Sequence, residues 1–235
     1  MKVLRFLGRL GVYLAGLLII AVGINVSRLS ALGIAPVSSI PGVLNARFPS
    51  VSLGSMVILV YCVLVAAQVV VLRKKFKIQN ILGVPVALVF GLMVDFMGIK
   101  PFRITLAGIP LGIKQEFHGL LEKFPVPPNL ILQFVYLIVS IIIIGVGVFV
   151  YLRPKLVPMP AEGLAGAISQ VTGKKFGNCK TAVDVSLISI AAILQICLLG
   201  GFGTLWIGKG VVGIGTILAA VFVGQVVKLL NRICK

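Results

Sequence analysis

Acidic residues are nearly missing from this chain: five Asp and Glu stand against 22 Lys and Arg in 235 residues. Histidine occurs once, as His118, and tryptophan once. A single histidine excludes most hydrolytic constellations, and neither an HExxH helix nor a GxSxG elbow is present. The four cysteines, Cys62, Cys179, Cys197 and Cys234, lack metal-ligand spacing and an external disulfide partner, so they read as small buried hydrophobes. GKGVVGIGT at 208–216 has the glycines of a nucleotide loop but not its GxxxxGK[ST] order. The residues thus point away from an enzyme, a metal centre or a cofactor. Charge of either sign is scarce at 11%, and no hydrophilic stretch is long enough for a separate soluble domain.

What is there is apolar. Hydrophobic residues make up 59% of the chain and the mean hydropathy is +1.17. A soluble domain carries roughly half apolar and about a quarter charged residues. This is the composition of an integral membrane protein. A bilayer core needs about 20 apolar residues per helical span. Six windows qualify, near 8–27, 53–72, 79–98, 130–152, 181–199 and 211–230. None alternates strictly, which favours helices over barrel strands.

The net charge of +17 would suit nucleic acid in a soluble protein. Here its placement decides. Sorted by the side on which the loops fall, Lys and Arg divide 15 to 7, with both termini on the richer side. The positive-inside rule makes that side cytoplasmic. A basic strip against anionic lipid then accounts for most of the charge, and no nucleic acid partner is needed.

The first window, preceded by Lys2, Arg5 and Arg9, also fits a signal peptide. Against cleavage, Ile19–Val26 (IIAVGINV) aligns without gaps with Ile143–Val150 (IIGVGVFV), 124 positions later. The offset continues: Leu32, Pro36 and Gly42 face Leu156, Pro160 and Gly166. Leu53-Gly54 faces Phe176-Gly177 at offset 123, and Gly83–Ala87 faces Gly215–Ala219 at offset 132, the growth falling in the Gly-rich hairpin 200–210. Three spans per half is odd, so the second half enters from the opposite side and the repeats are inverted, as in many secondary transporters.

The expected architecture is all-α: six transmembrane helices as two inverted three-helix repeats, each with a Pro-containing broken or re-entrant segment. The first repeat covers 1–100 and the second 129–235. An external linker, 101–128, joins them. Within it Phe117, Leu120, Leu121 and Phe124 recur at helical spacing, predicting a short amphipathic interfacial helix with His118 on its polar side.

Pro36 and Pro160 each suit the first turn of a helix. Broken helices inside a membrane aim their N-terminal amides at the protein interior. Ser38, Ser39 and Glu162 occupy these opening turns and become candidate substrate-binding residues with the two prolines. Asp184 lies four residues after Lys180, a spacing that pairs them on one face. An intramembrane carboxylate is a functional candidate by default, although the same pair also serves a purely structural role. Asp95, near the outer end of the third span, joins the list. Asn25, Gln68, Gln133, Gln195 and Gln225 read as interhelical hydrogen bonders.

ALGIAPVSSIPGVL at 31–44, the Gly54 after it, the GxxxA helix leading to Asp95, and KTAVD followed by LLGGFGTLWIGKGVVGIGT together resemble the YitT/YczE-like family of bacterial membrane proteins. The resemblance runs over nearly the whole chain. It implies a small polytopic inner-membrane protein of a kind suspected of transport. The chain departs from the pattern where Val37-Ser38-Ser39 replaces a frequent Trp-Asp pair, and where Lys180 replaces the usual Arg. Glu162 is then the remaining acid of the two Pro motifs.

The expected function is a secondary transporter or exporter of a small solute, with proton coupling through Glu162 or Asp184 as one form of it. Two other classes remain open. A substrate-capturing subunit of an ATPase-energised vitamin importer also has six spans, and would copurify with its ATPase. A non-transporting lipid-binding or assembly component would have a sealed, apolar interior.

Overall fold

The computed structural model describes residues 2–75, 78–99, 105–106, 109–110, 118–200 and 211–234. These form eight α-helices: α1 Lys2–Leu29, α2 Pro36–Arg47, α3 Leu53–Leu72, α4 Gly83–Phe96, α5 Leu130–Leu152, α6 Pro160–Thr172, α7 Phe176–Leu199 and α8 Ile214–Ile233. Two 3₁₀ turns, Arg73–Lys75 and Ile78–Leu82, lie between α3 and α4, and a two-residue antiparallel ladder pairs Thr105–Leu106 with Ile109–Pro110.

Five helices, α1, α3, α5, α7 and α8, are long and apolar enough to cross a membrane. Their outward faces carry Val70, Ile131, Ile193 and Ile217, each more than half exposed. Apolar surface on that scale belongs in lipid. The chain is an all-helical protein of the multi-pass membrane type.

The window near 79–98 folds differently from a full span. Pro85 has no N–H and so fits only the first turn of a helix. The α-helix accordingly starts at Gly83 and has 14 residues, with the 3₁₀ turn before it. Of the expected amphipathic segment, Phe117 lies outside the described residues. Residues 120–123 form turns, with Leu121 buried and His118 paired with Glu122 at 2.9 Å. The Gly-rich stretch 201–210 also lies outside the described residues. Cys179 is buried as expected, whereas Cys197 and Cys234 are exposed because their helices turn those faces outward.

The centre of the fold is the crossing of α1 and α5. A Cβ on Gly16 would lie 2.5 Å from the Tyr151 amide nitrogen. A Cβ on Gly147 would meet Ile20 Cγ1 at 2.7 Å, and one on Gly23 would meet Ile144 Cγ1 at 2.5 Å. As residue numbers rise along α1 they fall along α5, so the helices are antiparallel. The last two contacts exchange partners 124 positions apart: Ile20 sits on Gly147, and Ile144 sits on Gly23. Helix association in lipid depends on such close packing, because lipid is as apolar as leucine.

Shorter helices fill the sides. α2 packs against α3 and α7, and α6 against α7 and α3; α1 also packs on α4, and α5 on α8. The seam between α3 and α4 is sealed at backbone distance. A Cβ on Gly54 would strike the Gly91 carbonyl oxygen, and Gly91 in turn faces the Gly54 carbonyl. Tyr61 and Phe90 stack beside it, with centroids 5.8 Å apart. Among the described residues α7 and α8 share no comparable interface.

Gly147→Leu is expected to lower the apparent melting temperature of the detergent-purified protein, at a cost of about 1–3 kcal/mol for overpacking. Gly11→Ala serves as the control, since a Cβ there meets nothing within 4 Å. Equal melting of the two variants would contradict the crossing.

Candidate functional site

Between the open pair α7 and α8 lies a cavity of about 990 Å³. Its walls come from both halves of the sequence. Ile20 and Ile24 of α1 face Ile144 and Val148 of α5 across it, and Val223 and Gly224 of α8 close one side. The N-terminal ends of α2 and α6 both line it, through Ala35–Ser38 and through Met159, Ala161, Glu162 and Gly163.

Proline sets the geometry of both ends. The residue before a proline is pushed to extended backbone. Ala35 and Met159 have ψ values of 145° and 151°, and each hands the chain to a helix whose first turn holds the proline. Neither helix has a side-chain cap from its N-cap residue. Tying α6 down from outside, Gln68 Nε2 donates to the Pro160 carbonyl at 2.9 Å. Glycine leaves room for that amide, because a Cβ on Gly163 would lie 2.8 Å from Gln68 Oε1 and push the side chain aside.

Several residues expected from sequence meet here. Pro36, Ser38, Glu162, Lys180 and Asp184 all line the cavity. Lys180 Nζ donates to both oxygens of Asp184, at 2.7 and 2.9 Å, so the predicted pair is formed and half-buried. Glu162 lies within electrostatic reach of that pair, and the Met159 backbone amide hydrogen-bonds to its carboxylate. Its Oε2 is buried with no hydrogen-bond partner among the described residues. The same is true of the Ser38 hydroxyl, and Ser38 is 1% exposed. Ser38 and Glu162 are 124 positions apart, the offset at which the sequence aligns with itself.

Other candidates stand outside the cavity. Ser39 donates to the Pro36 carbonyl at 2.6 Å, stabilising the first turn of α2 from behind. Pro160 sits just behind the wall, held by Gln68. Tyr61, Gln170 and Asn80 line the cavity without having been singled out in the sequence. A tyrosine within an apolar span carries no signal of its own; only its position on the inward face of α3 assigns it.

A model of a family of unknown function, DUF6198, matches residues 7–232. The chain belongs to the DUF6198 family. An uncharacterized protein of Haemophilus influenzae is 28% identical to it over 138 residues, which is 57% of this chain. The chain spans 57% of that relative's length. No solved structure matches.

In this DUF6198 member Asp95 has a different place from the other acids. It is 6% exposed and sits at the C-terminal end of α4, against the start of α3. Its Oδ1 accepts the Gly54 backbone N–H at 2.6 Å, and its Oδ2 accepts the Ser52 hydroxyl at 2.6 Å. Ser52 itself is the N-cap of α3. A carboxylate at a helix N-terminus complements the orphan amides and the dipole there. On the neighbouring α1, Asn25 Nδ2 donates to the Val94 carbonyl at 3.0 Å, joining the same junction. Asp95 thus latches the α3–α4 seam rather than lining the cavity.

Asp95→Ala leaves the buried Gly54 N–H unsatisfied, a loss of about 1–3 kcal/mol. It is expected to lower the melting temperature while leaving cavity residues labelled as before by cysteine reagents. Loss of labelling without loss of stability would place Asp95 in the cavity machinery instead.

Proposed function

We propose that this protein is a secondary transporter or exporter of a small solute, built as two inverted three-helix repeats with its site between the Pro36 and Pro160 motifs. The six-span count includes α4 with its 3₁₀ lead-in, and the YitT/YczE-like resemblance belongs to the same reading. Reciprocal contacts support the repeat: Ile20 on Gly147 and Ile144 on Gly23 are one contact seen twice, in antiparallel helices. The packing of α2 on α7 is likewise matched by that of α6 on α3.

The observation that carries transport is the difference between equivalent seams. Gly54 and Gly91 meet backbone to backbone and seal α3 against α4. In the second half Gly177 corresponds to Gly54, and Val223, beside Gly224, corresponds to Gly91. A Cβ on Gly177 or on Gly224 would meet nothing within 4 Å outside its own helix, and both glycines line the cavity. One half is closed where the other is open. Exchange of those roles between halves is the rocking of repeats that exposes a central site to each side in turn. With both termini in the cytoplasm, the cavity opens inward, because it takes in the start of α7 and the later turns of α3, α5 and α8.

Glu162, Lys180, Asp184, Pro36 and Ser38 are the proposed lining of the site, and Glu162 or Asp184 the proposed carriers of a coupling proton. Cysteine chemistry tests the exchange, in a variant with the four native cysteines replaced by alanine. Thr181→Cys, which lines the cavity, is expected to react with an impermeant maleimide from the cytoplasmic side. Gly177→Cys together with Gly224→Cys is expected to form a bridge under oxidation, and that bridge to block labelling at position 181. A pair that never bridges, with labelling constant, would describe a fixed cavity and end the transport reading.

A further inference from the structure

Resting on that transport reading, we infer that the cavity takes a lipophilic organic cation, which competes with a proton for Glu162. The inference starts from a cluster of three side chains. Two carboxylates, Glu162 and Asp184, face one ammonium, Lys180. Lys180 is engaged by both oxygens of Asp184. Glu162 is left with a buried Oε2 that has no partner among the described residues.

The other titratable groups facing Glu162 from packed elements do not supply a positive charge. Tyr13 of α1 and Tyr61 of α3 present phenols, which carry no positive charge in either form. α4 carries only Asp95, at its far end beside Arg28. Lys228 lines the cavity on the late turns of α8, but it is an exposed residue and is not among the charges acting on Glu162. Among the described residues the inner cluster therefore carries one more negative than positive charge when both acids are ionised. An unbalanced charge in a membrane interior is expensive, so it is either protonated or paired.

A helix N-terminus ordinarily attracts an anion. Here part of that attraction is already answered. Glu162 takes the Met159 amide at the head of α6, and Pro36 and Pro160 have no N–H to offer. An anionic solute would also meet two carboxylates. The remaining wall sets the rest of the chemistry. Ile20, Ile24, Ile144, Val148 and Val223 give it an apolar surface, and its volume lies at the upper end of the usual range for small-molecule pockets. Among the described residues no three His, Cys, Asp or Glu side chains converge as metal ligands. A bulky cation with apolar arms suits these walls, with Ser38 on the α2 side offering a hydroxyl opposite Glu162.

The exchange balances simply. The O–H bond of the protonated Glu162 carboxyl breaks, the proton leaves to water, and the carboxylate pairs with the arriving cation. One charge enters and one leaves, so the cluster stays neutral in both states.

The test uses the full chain purified in detergent and ethidium, a permanent organic cation followed by fluorescence anisotropy. Ethidium is expected to bind with release of about one proton, and its affinity to fall about tenfold per pH unit on the acid side. Glu162→Gln is expected to weaken binding more than tenfold and to abolish both the proton release and the pH dependence. The wild-type pH series needs no variant, so it decides the matter even where Glu162→Gln fails to fold. Flat pH dependence in the wild type, undiminished binding in Glu162→Gln, or preference for a sulfonated dye of similar size would each overturn the cation assignment. The bridge between positions 177 and 224 separates the two claims. A bridge without ethidium binding leaves transport standing and removes the cation, whereas Glu162-dependent binding without a bridge does the reverse.

Discussion

Two helices crossing at backbone distance organise this molecule. In a bilayer no hydrophobic force drives α1 onto α5, so their association relies on dispersion over a tight contact. Gly16, Gly23 and Gly147 make that contact possible, and each would place a Cβ inside its neighbour. The crossing also positions the chemistry. α2 and α6 follow within a few residues of the ends of α1 and α5, so both Pro-led helices start from the same central pair. Tyr13 reinforces the arrangement by donating to the Val157 carbonyl at 2.8 Å, just ahead of the turn into α6, and Arg9 donates to the Pro154 carbonyl.

Around this centre, a few buried polar groups decide which surfaces are fixed and which are free. Asp95 ties α4 to the head of α3. Gln195 does related work between α7 and the chain leading into α8: its Oε1 accepts the Val211 and Val212 amides at 2.9 and 2.7 Å, and its Nε2 donates to the Val212 carbonyl at 3.1 Å. The α1–α2 turn adds a second tie, where the Leu32 carbonyl accepts the Gly215 amide at 2.9 Å. Gly33 in that turn has φ of 135°, and a side chain there would strike Thr216. α7 and α8 are therefore anchored at one end and separated towards the other. The tie is at the Gln195 end of α7, whereas Glu162 shares the cavity with Lys180 and Asp184 near the other end.

Much of this was legible in the residues. The 124-residue offset pointed to Gly23 and Gly147 as equivalents, and to Pro36 and Pro160 as first-turn prolines, because both depend on local backbone rules that a single sequence carries. The Lys180–Asp184 pair was legible for the same reason: helical spacing alone brings the two together. Asp95 was not, since its partners, Ser52 and Gly54, are remote in sequence and reach it only once α3 lies against α4. The openness of the α7–α8 seam was hidden too. Gly177 repeats Gly54 in type, and nothing in its identity says that one is packed and the other bare. The short α4 was not read from the apolar run at 79–98, although Pro85, whose effect on a helix start outweighs that run, stands within it.

That short helix has a consequence for the surroundings of the protein. Fourteen residues of α-helix rise about 21 Å, while a hydrocarbon core is about 30 Å thick. The five residues of 3₁₀ turn at Ile78–Leu82 add about 10 Å, so turn and helix together just match the core, with Arg73 and Lys75 immediately before them in the chain. A span with no length to spare has little freedom to tilt, whereas the 23 residues of α5 and the 24 of α7 leave room for it. In a bilayer with a core thicker than that, α4 would be the first element to draw lipid headgroups inward.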